Sequence, residues 1–195
     1  ITAGDPTLAM TEQIVVELDR AGADVVEFGV PYTDPLADGP VNQEAATRAL
    51  KHHVRIADIL ALVQRLRAKT QVPILLFTYY NPVLSYGVAK LAADAAAAGV
   101  DGILCVDLPP EESAEYEAEF RKHKLCTVFL LAPTSTPERI TLVAKHSSGF
   151  IYYVSRTGTT GERSNIEADV KTMVARIKAK TPLPVAVGFG IGAPA

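Results

Sequence analysis

Ala21-Gly22-Ala23-Asp24-Val25-Val26-Glu27-Phe28-Gly29-Val30-Pro31 is the stretch that decides the fold. Gly22 suits the left-handed residue that closes a helix. Val25, Val26 and Phe28 then form a short apolar run rich in strand-forming side chains. Gly29-Val30-Pro31 turns the chain into a loop. The same order recurs where Ala98-Gly99-Val100-Asp101 precedes the apolar residues 102–106. Upstream, residues 11–21 place Ile14, Val15, Leu18 and Ala21 on one helical stripe, and Ile56–Leu66 repeats it with Ile59, Leu60, Val63 and Leu66. Thr136-Pro137-Glu138 starts a further helix, threonine as N-cap and proline at the first helical position.

Apolar runs at residues 24–28, 72–79, 102–106, 127–131, 149–154 and 183–187 are mostly continuous rather than alternating. Strands covered on both faces require that pattern. Apart from a gap of 48 after the first, successive runs start 22 to 34 positions apart, about one βα unit, so the expected fold is α/β with parallel strands. An open doubly wound sheet should carry a glycine-rich dinucleotide turn after its first strand, and Ile1-Thr2-Ala3-Gly4-Asp5-Pro6 does not supply one. A (β/α)8 TIM barrel puts its working residues in the loops after the strands, where the unusual residues of this chain lie. Residues 1–3 read as the tail of the first strand, giving about seven strands against the eight of a barrel. The reading is therefore a single barrel domain over 1–195, truncated at both ends and lacking the eighth strand and part of the first.

The 195 residues carry 48% hydrophobic and 21% charged side chains and a net charge of −3. That suits a globular domain, offers no global attraction to nucleic acid or anionic membrane, and includes no run of the ~20 apolar residues that span a bilayer. Cys105 and Cys126 sit in separate apolar runs without histidine at ligand spacing, which reads as two buried reduced thiols. His52, His53, His123 and His146 form no metal pattern and read as surface residues.

Glu27 is a carboxylate inside an apolar strand. It is either paired with a lysine or arginine, or is a general acid–base with its pKa raised by desolvation. Asp34 and Asp38 lie in a long inserted loop, residues 31–43, and serve either as turn formers or as partners of Glu27 in an acid–base task. Thr157-Gly158-Thr159-Thr160-Gly161 and Gly188-Phe189-Gly190-Ile191-Gly192 are turns that can cradle a phosphate through backbone N–H groups. The first also suits a lid. Tyr152 and Tyr153 should face opposite sides of their strand. Asp107 is either a polar lining residue or a helix cap.

Glu27-Phe28-Gly29-Val30-Pro31-Tyr32-Thr33-Asp34-Pro35-Leu36-Ala37-Asp38-Gly39-Pro40 closely resembles the signature of the tryptophan synthase α subunit. The resemblance extends to Thr2-Ala3-Gly4-Asp5-Pro6, Tyr79-Tyr80-Asn81-Pro82, Asp107-Leu108-Pro109, Glu111-Glu112-Ser113, residues 152–161 and Gly188-Phe189-Gly190-Ile191. It implies a TIM barrel that cleaves indole-3-glycerol phosphate to indole and glyceraldehyde 3-phosphate, with no metal or organic cofactor of its own. By the same resemblance Glu27 protonates indole C3 and Asp38 accepts the ring N–H. Tyr152 holds the glutamate and substrate, and Gly161, Phe189 and Gly190, with Thr160 in the lid, lie at the phosphate end. The implied partner is a pyridoxal-phosphate β subunit in an α2β2 assembly, met through Pro31, Asp34, Asn81 and Pro109. The implied location is the cytoplasm, or a plastid in a plant, with any transit segment upstream of Ile1. Phe28 stands where an aliphatic residue is more usual in the family, and Phe150 where some relatives carry tyrosine. The alternatives are a stand-alone lyase with the same site, a silent barrel that activates a partner enzyme, and another sugar-phosphate barrel.

Overall fold

The computed structural model describes residues 1–155 and 166–188. Among them α-helices alternate with short parallel strands: α1 (Leu8–Arg20), β1 (Val26–Gly29), α2 (Pro40–Leu50), α3 (Ile56–Leu66), β2 (Ile74–Thr78), α4 (Tyr80–Tyr86), α5 (Val88–Ala98), β3 (Gly102–Cys105), α6 (Ala114–Lys122), β4 (Cys126–Val128), β5 (Leu130–Leu131), α7 (Pro137–His146), β6 (Ile151–Val154), α8 (Ile166–Lys178) and β7 (Val185–Gly188). The chain divides into two compact units, Ile1–Leu108 with Glu112–Cys126, and Pro109–Glu111 with Thr127–Ala195.

In the first unit β2 lies between β1 and β3, parallel to both, with Glu27 beside Leu75 and Leu75 beside Gly102. Thr2 makes a parallel bridge to Gly29, as expected for the tail of a preceding strand. Val26 and Phe28 are buried while Glu27 and Gly29 are only half-covered, so the strand alternates faces. Phe28, fully buried with Ile59, Leu62, Leu66, Ile74, Leu76, Leu91 and Ile103, belongs to the core. Burying such a side chain is worth about 1.5–3 kcal/mol. At the amino ends of β2 and β3, Arg67 donates to the carbonyls of Gly99 and Val72 and to Asp101 Oδ2, and Asp101 Oδ2 also accepts the Ile74 N–H.

In the second unit β6 lies between β5 and β7, all parallel. The run 127–131, expected as one strand, is divided at Phe129 into β4 and β5. Phe129 still offers its carbonyl to Tyr152 N–H at 3.2 Å.

The expected caps are present. Gly22 and Gly99 have φ of +90° and +91°, and Thr136 Oγ1 accepts the Arg139 N–H behind Pro137. The inserted loop is shorter than expected: Pro40 starts α2, so residues 40–43 are helical and the loop is 31–39. Proline at the first helical position explains the shift, since its fixed φ suits that turn. Cys105 is buried and reduced, whereas Cys126 is only half-buried. His52, His53 and His123 are exposed, but His146 is half-covered, its ring edge-on to Phe129 at 6.4 Å.

Candidate active site

Glu27 sits in the middle of β1 on the face opposite Val26 and Phe28. Its neighbours across the sheet on that face are Leu75 and then Gly102, neither able to solvate a charge. Burial accordingly pushes its carboxyl above the usual glutamate range. No lysine or arginine among the described residues pairs with it. Of the two readings the sequence left open, the desolvated carboxylic acid is the one the surroundings favour.

The loop 31–39 carries Asp38. The Asp38 N–H donates to Pro35 O at 3.0 Å, a turn, and its carbonyl accepts from Gln43 Nε2 at 2.8 Å. The side chain is also engaged: Tyr79 Oη donates to Asp38 Oδ2 at 3.0 Å and accepts the Ala37 N–H at 2.9 Å. Tyr79 follows β2 in extended conformation, φ −92° and ψ 161°. Positions 75, 77 and 79 therefore share one face, which is the face of Glu27. Glu27 and Asp38 are thus both assigned to one side of the sheet, Asp38 at its carboxyl end. Asp38 is at once a turn former and a carboxylate aimed by a buried phenol. Asp34 is not: it is exposed and accepts from its neighbour Thr33 Oγ1 at 2.6 Å. Of the two loop aspartates, Asp38 alone has its carboxylate held by a residue from outside the loop, among the described residues.

Tyr79 is the residue that sequence reasoning missed, quoted only within a motif. Its ring, 6% exposed, lies 5.2 Å from that of Tyr32, whose hydroxyl accepts from Asn81 Nδ2 at 3.2 Å. Burial foremost, with the charge of Asp38 adding to it, raises the Tyr79 phenol far above its ordinary value, so it remains a neutral donor. Asp107 resolves as a helix cap, its Oδ1 accepting the Tyr80 N–H at 2.7 Å where α4 begins.

In the second unit Tyr153 is buried and Tyr152 half-exposed, on opposite faces as expected. Tyr152 is packed over Gly188, the last residue of β7. A Cβ there would lie 2.0 Å from Tyr152 Oη and 2.3 Å from its Cζ. Any side chain at 188 would therefore displace the phenol, a second contribution that composition did not reveal. Thr160, Gly161, Phe189 and Gly190 lie outside the described residues. Of the residues expected at a partner face, Asp34 and Asn81 are exposed and Pro109 is half-exposed. Pro31 is buried, a correction: it offers no exposed surface to a partner.

No described helix is long and apolar enough to cross a membrane. The family model for the tryptophan synthase alpha chain matches residues 1–195. A tryptophan synthase alpha chain of Solibacter usitatus is 55% identical over 194 residues, covering all of this chain and 73% of that protein. One of Geobacter sulfurreducens is 54% identical, covering all of this chain and 74% of that one. Among solved structures, a tryptophan synthase α2β2 complex of Pyrococcus furiosus superposes with a TM-score of 0.90 at 40% identity, covering 98% of this chain and 77% of that one. Mycobacterium tuberculosis tryptophan synthase does so at 0.89 and 39% identity, covering 98% and 73%. The parallel βα repeat is thus that of this family's TIM barrels, and the chain belongs to the tryptophan synthase alpha chain family.

Proposed function

We propose that this chain cleaves indole-3-glycerol phosphate through Glu27 and Asp38, the lyase half-reaction of its family in tryptophan biosynthesis. The observation that carries the assignment is a desolvated Glu27, with no lysine or arginine partner among the described residues, on the face where Tyr79 holds Asp38.

In this reading the Glu27 carboxyl delivers a proton to indole C3. An acid for that task must remain partly protonated near neutral pH, and burial among apolar neighbours supplies the shift. Asp38 accepts the ring N–H and favours the positive charge that develops on the ring, which the neutral substrate lacks. The bond from C3 to the glycerol chain then breaks and its electron pair returns to the ring. The hydroxyl proton of the departing carbon leaves to a base as the aldehyde forms, so one proton is gained and one lost. Tyr152 orients substrate, and Thr160, Gly161, Phe189 and Gly190 grip the phosphate. None of this asks the chain for a cofactor of its own.

The chain also pairs, in this proposal, with a pyridoxal-phosphate β subunit that receives the indole. Asp34, Asn81 and Pro109 meet that partner, and Pro31 sets the loop. The P. furiosus structure is described as a mutually activating α2β2 complex, which supports the pairing. The test is indole release from indole-3-glycerol phosphate by wild type and by Glu27→Gln, with and without β subunit. Wild-type turnover in the variant would end the assignment. Rapid turnover that a β subunit does not stimulate would favour the stand-alone lyase.

A further inference from the structure

Tyr79 lies between the two readings that compete for Asp38, turn former and reactive carboxylate. Its hydroxyl has one proton to give and lone pairs to receive with. The Ala37 N–H can only donate, so that bond uses a lone pair of Oη. The proton of Oη is then directed at Asp38 Oδ2. One buried phenol therefore fixes two consecutive residues of the loop, one through its backbone and one through its carboxylate.

The other attachments of Asp38 are all backbone: its N–H to Pro35 and its carbonyl from Gln43. Neither decides where the carboxylate points. Oδ1 takes no hydrogen bond from the described residues, so the Tyr79 bond alone selects the rotamer and leaves one oxygen for a ligand. The phenol is itself enclosed, with 6% exposure, its ring tilted against that of Tyr32, and it is carried on the residue joining β2 to α4. Its ring packing would be the same for a phenylalanine. Only the hydroxyl distinguishes aiming from filling.

We infer that Tyr79 is a positioning residue for the lyase reaction, acting through Asp38 by holding Oδ2 so that Oδ1 is presented to the ring N–H of the substrate. The inference rests on the acid–base reading of Asp38. It is tested by a double-mutant cycle on the whole protein with Tyr79→Phe, Asp38→Asn and the pair. The readouts are kcat and KM for indole-3-glycerol phosphate, the Kd of glycerol 3-phosphate, and Tm. Removing the hydroxyl should lower kcat about 10-fold, since a misaimed group loses transition-state contact first. The glycerol 3-phosphate Kd should stay within about 2-fold, because that probe lacks the ring. In the Asp38→Asn background the Tyr79→Phe penalty should vanish. Tyr79→Met, apolar and without the hydroxyl, repeats the cycle should phenylalanine lower the yield of folded protein.

Should Asp38→Asn impair turnover while the Tyr79→Phe penalty persists in full beside it, the positioning role is wrong and the reading of Asp38 stands. Wild-type kcat in Tyr79→Phe with a lowered Tm also refutes the role, leaving the phenol purely structural. Wild-type turnover in Asp38→Asn would instead overturn the acid–base reading itself, and this inference with it.

Discussion

Gly188→Ala is the perturbation whose consequence the structure specifies most closely. A Cβ at this position would stand 2.0 Å from Tyr152 Oη, 2.3 Å from Cζ and 2.4 Å from Cε1, whereas ordinary contact begins near 3.4 Å. The hydroxyl must retreat by 1.4 Å and the ring edge by 1.0 Å. These atoms belong to one rigid ring, so a terminal rotation cannot relieve them, and the phenol has to leave its place. Overpacking of this kind costs about 1–3 kcal/mol. For a chain of this size each kcal/mol lowers Tm by about 2–4 °C. With Tyr152 orienting substrate as proposed, a displacement beyond 1 Å there is expected to reduce turnover about 10²-fold. Thermal unfolding followed by circular dichroism and indole release from indole-3-glycerol phosphate measure the two effects. The double variant Gly188→Ala with Tyr152→Ala removes the obstructing ring, so its Tm should exceed that expected from adding the two single losses. Unchanged Tm and turnover in Gly188→Ala, or strict additivity in the double variant, would refute the reasoning.

Three further expectations concern separate parts of the molecule. Glu27→Gln should lower turnover at least about 10²-fold with its circular dichroism spectrum preserved. Because burial raises the Glu27 pKa, the wild-type acid form, and turnover with it, should persist to higher pH than an ordinary glutamate allows and decline as pH rises through the shifted value. By the same linkage the folded state binds this proton more tightly than the unfolded chain. Glu27→Gln should therefore be the more stable protein above the raised pKa, and the gap should close as pH falls below the ordinary glutamate value, checked by urea unfolding across pH. Arg67→Ala strips hydrogen bonds from two backbone carbonyls and from Asp101, so a loss of about 2–3 kcal/mol is expected. Its turnover at 25 °C should be unchanged, because the cluster lies at the amino ends of the strands. Asp34→Ala, at an exposed side chain, should leave partner-free turnover within about 2-fold while weakening stimulation by a β subunit, read by titrating that subunit into the indole assay.

The order of strands and helices was legible because it depends on local chemistry. Continuous apolar runs require cover on both faces, glycine takes the left-handed residue after α1 and α5, and Thr136-Pro137 caps and starts α7. Those preferences act over a few residues and are written where they act. Glu27 was legible for the same reason, as one carboxylate among apolar neighbours in a strand.

Asp34 and Asp38 mark the limit of that reading. They share a loop, a residue type and a plausible turn role, so no local rule separates them. Tyr79 separates them, through a hydrogen bond from a residue 41 positions away. That phenol reaches the loop only because the register of β2 against β1 sets 75, 77 and 79 on the face of Glu27. Gly188 is parallel: the sequence marks a flexible turn, and only the pairing of β6 with β7 brings the Tyr152 ring over it. Local propensity thus determined the elements and nominated the carboxylates. Strand register, a property of residues distant along the chain, decided which of them a neighbour holds in place.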